Sequence, residues 1–413
     1  CIESLASVYA NGYLVEEDVL RSAQLLTKAI ELGSGNAAFR LGWMYERAAL
    51  TDEPDYENAL KYYDKAAKMG NADGFARMAF CYTYGNGVKQ DSDKAREYHE
   101  TAIEMGSSFS MIELGFMHER GQGVEKSRDK AFEWYKKAAA NDNSYGMYLV
   151  GLYLESGVLG VPELDEAFKM YLQGAEGGDN DAVFAVGRCY KNGIGTDENP
   201  DKALEWFQQG AEANDPRCLT EMGLAYENGS GVEENPQKAI EYMTLAADMN
   251  YGYAQFKMGD YNMYGYGSCL EDNAKAVEWY KKAVENELAL AMVRMGDYYL
   301  YDYDDLGEQE KAIGYYKNAA ENEVYNEGIG ICYELGIGVE ANETEAFKYY
   351  TLAANDGSIA SMYRVGLCYY NGVGVKENYN EAYRWFNDAA NEENVGATYY
   401  LGKMLMHGEG CAP

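Results

Sequence analysis

Apolar side chains return along this chain at intervals of three and four, in short runs separated by turns rich in glycine, aspartate and asparagine. That spacing lays one apolar stripe along each of a succession of helices. The runs are themselves periodic. A small residue behind an apolar one recurs at Ala6, Gly42, Ala79, Gly115, Gly151, Gly187, Gly223, Gly259, Gly296, Gly330, Gly366 and Gly402, at intervals of 36, 37, 36, 36, 36, 36, 36, 37, 34, 36 and 36 residues. Such self-similarity marks a repeat array, in which no unit buries its apolar face alone and stacking of neighbours supplies the core.

Within each unit the pattern predicts helix A, a turn and helix B. The small residue lies in helix A, where it lets a neighbouring helix approach closely. Three residues later comes a slot held by Tyr9, Tyr45, Tyr82, Tyr190, Tyr226, Tyr299, Tyr333 and Tyr369, with His118, Leu154, Asn262 and Leu405 replacing tyrosine. Glycine pairs such as Gly85/Gly87, Gly193/Gly195 and Gly372/Gly374 then end helix A, since glycine enters left-handed conformations without the steric cost of a Cβ. Asp197 and Asn199 before Pro200 supply turn and capping chemistry for helix B. Helix B itself carries an alanine and two aromatics, as in Ala131/Trp134/Tyr135, Ala203/Trp206/Phe207 and Ala382/Trp385/Phe386.

These elements, Leu/Met/Val-Gly-x-x-Tyr, Gly-x-Gly-Val and Lys-Ala-x-x-Trp/Tyr-Tyr/Phe-x-x-Ala-Ala, resemble the Sel-1-like repeat family, a branch of the tetratricopeptide-type helical repeats. The resemblance covers nearly all of residues 1–413, as eleven full units of about 36 residues and a terminal helix A. It implies an all-α, right-handed solenoid of antiparallel helix pairs forming a single array. It also implies a non-enzymatic scaffold or adaptor for proteins, with an exported receptor for a glycan or host protein as the alternative. Units one and two lack the glycine pair, and the unit at Gly296 carries Asp302 and Asp304 instead. An irregular junction is expected at residues 300–330, where the interval shrinks to 34.

Composition narrows the partners. Against 35 lysines and arginines stand 68 aspartates and glutamates, a formal net charge of −33. Nucleic-acid phosphates and anionic membrane surfaces would be repelled, whereas a basic partner is allowed. No run of 18 apolar residues offers a membrane span. The chain opens on Cys1 with a helix already under way, as expected of a fragment or a processed form. Cys81, Cys189, Cys332 and Cys368 share one helix A position and Cys218 takes an alanine slot, so they read as small buried hydrophobes. Reduced thiols and an intracellular setting follow as expectations.

Candidate chemistry is sparse. His99, His118 and His407 have no zinc-spaced companions, and no Gly-x-Ser-x-Gly motif is present. Asp302–Gly307 echoes a calcium loop, but Ile313 stands where its bidentate glutamate belongs. The sequence therefore supplies no catalytic, cofactor-binding or metal-binding residues. What remains is a surface. By analogy with tetratricopeptide arrays, helix A lines a concave groove, and residues three before, one after and four after the small position share its face. The candidates are Phe39, Trp43, Phe80, Phe116, Tyr148, Phe184, Arg188, Lys191, Phe256, Tyr363, Tyr370 and Tyr399. They describe an aromatic, mostly acidic groove with one basic spot at Arg188/Lys191, suited to a basic or amphipathic peptide or protein. The competing reading makes the same aromatics packing residues within and between units.

Overall fold

The computed structural model describes residues 2–11, 16, 18–302, 306–322, 324 and 327–410, and every regular element among them is helical. Contacts gather the chain into two units, Cys1–Ala213 and Asn214–Pro413, each a succession of helix pairs. The pair formed by Asn180–Asn192 and Pro200–Glu212 shows how sequence sets the local structure. Asp179 caps the first helix, its carboxylate accepting the Ala182 N–H at 2.8 Å. Gly193 then stops it in the left-handed region at φ 66°. Asn199 caps the second helix by accepting from Lys202 N–H at 3.0 Å, and Pro200 occupies the first turn, where its missing N–H costs nothing.

Packing explains the two kinds of glycine. A Cβ on Gly187 would lie 2.5 Å from the ring of Phe207 on the partner helix, so the small residue of helix A sets the separation within a pair. A Cβ on Gly195, the second glycine of the turn, would lie 2.0 Å from the carbonyl oxygen of Leu164 at the start of the preceding helix B. That glycine sets the separation between repeats. The ring filling the space beside the helix A glycine recurs as Tyr63, Tyr135, Tyr171, Tyr280, Tyr316 and Phe386, all fully buried. Each such ring contributes roughly 2–3 kcal/mol of burial.

One repeat departs. Helix A over Ala289–Asp297 runs directly into a π-helix, Tyr298–Asp302, before short Leu306–Gln309 and then Lys311–Glu321. Asp302 stands where neighbouring repeats place their left-handed glycine, so nothing stops the helix at that position. The side chains of 302–307, including the calcium-loop echo, lie outside the described residues.

Candidate functional site

The helix A face is built from one register repeated in both units. Phe39, Tyr148, Phe184, Phe256 and Tyr363 each sit three residues before the small position. Each packs on the helix B ring of its own pair, with centroid separations of 5.9 Å to Tyr63, 5.8 Å to Tyr171, 6.1 Å to Phe207, 6.1 Å to Tyr280 and 5.9 Å to Phe386. Phe116, one residue after it, meets Tyr135 edge-on at 5.6 Å. These rings close the helix pairs from above. Phe256 is buried, whereas Phe39, Phe116, Tyr148, Phe184 and Tyr363 are half-buried and keep an edge in solvent.

Trp43 and Phe80 belong to a cluster organised by Arg77. Its guanidinium lies 4.2 Å from the Trp43 centroid, 5.5 Å from Phe80 and 4.9 Å from Phe109, and Arg47 covers Trp43 at 4.6 Å. Tyr370 donates its hydroxyl to Glu409 at 3.0 Å and packs edge-on against Tyr379 and Tyr400. Tyr399 is 67% exposed.

Arg188 is not the isolated cation suggested by the sequence. It forms a bidentate pair with Glu155 of the preceding repeat, at 2.7 and 2.5 Å, and the same carboxylate accepts from Tyr171 Oη at 2.6 Å. Burial alone would raise the Glu155 carboxyl, but these Arg188 and Tyr171 hydrogen bonds outweigh it and hold the group below its ordinary value. Burial, reinforced by that bond, pushes the Tyr171 phenol upward. Lys191 is exposed on the same helix.

The arrangement recurs as a staple. An acid on one helix A accepts the phenol of a helix B and also binds a cation on the next helix A. Glu46 joins Tyr63 and Arg77, Asp260 joins Tyr280 and Arg294, and Glu334 joins Tyr350 and Arg364. Glu227 makes a variant of it, joining Lys257 and Tyr261, both on the next helix A. Most of the acids expected to face a ligand are thus engaged by their own chain. The signal was present in the sequence: Arg77, Lys257, Arg294 and Arg364 all stand two residues before the small position, one slot outside the offsets used to assemble the candidates.

Elsewhere the polar groups are structural. Cys81, Cys189, Cys218, Cys332 and Cys368 are buried thiols, with burial pushing Cys81 up to about 12 and Cys189 to about 11. His118 contacts the Glu125 carbonyl at 3.0 Å. Among the described residues, no group of three His, Cys, Asp or Glu side chains could hold a metal, and no helix is long and apolar enough to cross a membrane.

Comparison with known proteins gives a consistent picture. The Sel1 repeat family matches residues 4–34, 35–71, 76–107, 108–143, 144–179, 180–215, 216–251, 252–287, 289–324, 327–358, 359–394 and 395–413. A crystal structure of c5321, a protective antigen of uropathogenic Escherichia coli, is similar at 25% identity and a TM-score of 0.66, over 98% of this chain and 87% of that one. A Sel1 repeat protein from Oxalobacter formigenes is similar at 25% identity and a TM-score of 0.54, over 61% of this chain and 98% of that one. No curated protein matches the sequence.

Proposed function

Because the chain belongs to the Sel1 repeat family, whose members serve as protein-interaction scaffolds, we propose that it is a non-enzymatic adaptor that binds a peptide or protein on the helix A face. The observation that carries this reading is the repetition of half-buried rings in one register. Phe39, Phe116, Tyr148, Phe184 and Tyr363 pack on helix B yet remain half-exposed. Preorganised aromatics lose little entropy on binding and act as anchors. The chain's net charge of −33 favours a basic or amphipathic ligand.

A displayed peptide library panned on the protein tests the proposal. An enriched peptide should bind a Tyr148→Ala, Phe184→Ala variant about tenfold more weakly, or a Trp43→Ala, Phe80→Ala variant if the peptide occupies the first repeats. Arg188 is left in place because its removal would strand Glu155. Undiminished binding by both variants would place the ligand off this face. The likeness to a protective antigen favours one second reading, a receptor for a glycan or host protein using the same rings. Enrichment on a glycan array without peptide enrichment would select it.

A further inference from the structure

We propose that a second docking site, independent of the helix A face, lies between two helix B elements in the repeat around Gly151, and that it takes a basic amphipathic helix of a partner protein. A groove of about 540 Å³ opens between helices Arg128–Ala140 and Leu164–Glu176 over the flank of helix Ser144–Ser156. Its apolar wall is Phe132, Met147, Val150, Leu154 and Met170. Glu163 and Glu166 stand on its rim, with Lys136 and Gln173 also lining it.

Three departures from the repeat pattern lie in or beside this groove. The first is Leu154, which holds the tyrosine slot. In the next repeat Tyr190 meets Phe168 of the preceding helix B edge-on at 5.2 Å, and Tyr369 meets Phe347 likewise at 5.2 Å. Within their own pairs, Tyr45 and Tyr82 stack on Tyr62 and Tyr98 at 5.6 and 5.7 Å. The residues equivalent to those partners are Phe132 and Met170; Tyr153, one residue earlier on the helix, stacks on Phe132 at 5.5 Å, so the side left without a ring is the one over Met170, and the groove opens there. The second departure is Leu159, which stands where Gly195 of the next repeat closes on the preceding helix B. The third is Glu163, at the capping position that Asn199, Asn235 and Asn378 fill elsewhere; it makes no side-chain capping bond.

The turn itself differs, with Gly160 N–H donating to the Gly157 carbonyl at 2.9 Å, but the chain returns to register before the second helix. Glu163 N–H still donates to the Leu154 carbonyl at 2.9 Å, as Asn199 does to Tyr190 at 2.7 Å. The groove therefore combines changed side chains with a changed turn, between helices that keep their register. Its apolar character continues past its rim, where Leu159, Val161 and Leu164 are 40%, 84% and 41% exposed within six residues. A small ligand confined to the groove would leave these three in water, whereas a helix laid across it covers both. Charge fixes the sign of the partner. Lys136 in the lining is paired with Glu133 at 2.5 Å and Glu166 with Lys169 at 2.9 Å, so the Glu163 carboxylate, on a chain carrying −33, sets the sign, and the exposed Glu166–Lys169 pair can be replaced by a partner's cation. Helix-in-groove recognition of this kind uses apolar anchors one turn apart with basic residues on the solvent side.

The test restores the repeat. Leu154→Tyr puts in the ring that Tyr190 supplies in the next unit, filling the groove in place of the packing Leu154 makes on the two adjoining cores, and its melting temperature is expected to stay within a few degrees of wild type. The probe is a synthetic amphipathic helix with leucine and phenylalanine on one face and lysine on the other, titrated against the whole protein. Leu154→Tyr should weaken its binding by about tenfold or more, and Glu163→Lys, Glu166→Lys by a similar factor at low salt. The same helix with glutamate replacing lysine should not bind. Equal affinity for wild type and a folded Leu154→Tyr variant overturns the proposal. So does a result in which an alkylamine is lost with Leu154→Tyr while the helix is unaffected, because the occupant would then be a small molecule.

Discussion

At the scale of single residues, the glycines and one histidine carry the sharpest consequences. Gly187→Ala improves helix propensity by roughly 1 kcal/mol, but the new methyl would sit 2.5 Å from the buried Phe207 ring, which has nowhere to go. Overpacking is expected to dominate, with a net loss of about 1–3 kcal/mol in urea unfolding; a gain would mean that the helix pair separates easily. His99 is fully buried, with Nδ1 3.1 Å from Ser110 Oγ, and burial pushes its imidazole down to about 3. Unfolded, it titrates near 6.5. Between those values the unfolded chain binds the extra proton, so this contribution is complete above about pH 6.5 and declines as pH falls, at about 1.4 kcal/mol per unit. The stability of wild type minus that of His99→Leu should fall from pH 7 to pH 5, and a pH-independent difference would show that His99 titrates in the fold as it does unfolded. The helix A glycine was legible in the sequence as a close approach. The second turn glycine was read only as a helix terminator, because its contact with the preceding repeat is long-range.

At the scale of elements, the repeat and its turns were readable because each rests on local chemistry: a stripe, a left-handed glycine, a cap. The staples were legible only as a recurring cation, since their acid and phenol lie on different helices and, except around Glu227, the cation lies on a third. Their role in joining repeats can be measured. Arg188 and Glu155 are both partly buried, and Tyr171 holds the carboxylate in place. A double-mutant cycle with Glu155→Gln and Arg188→Met should return a coupling of about 1 kcal/mol, above most fully exposed pairs. An exposed helical pair such as Lys68–Asp64, examined the same way, should give about half that or less. Equal couplings would reduce the staple to an ordinary surface contact. The candidate rings divide along the same line: their register was evident from spacing, but their packing on helix B could be seen only once the second helix was placed.

At the scale of the whole molecule, charge decides more than any pair. If every one of the 35 basic side chains were matched to an acid, 33 acids would still be left, and many of the pairs that do form are exposed contacts within one helix. Each of those is worth about 0–1 kcal/mol. Repulsion among the excess acids acts over the Debye length, roughly 30 Å at 0.01 M salt and 8 Å at 0.15 M. Raising sodium chloride through that range should therefore stabilise the chain, because the repulsion it screens exceeds the pairing it weakens. The expected result is a higher melting temperature at 0.15 M than at 0.01 M, with binding of a basic peptide weakening over the same interval. A melting temperature that falls with salt would mean that the staples outweigh the net charge. Stability gained and affinity lost on one salt titration would tie both properties to the same surplus of acids.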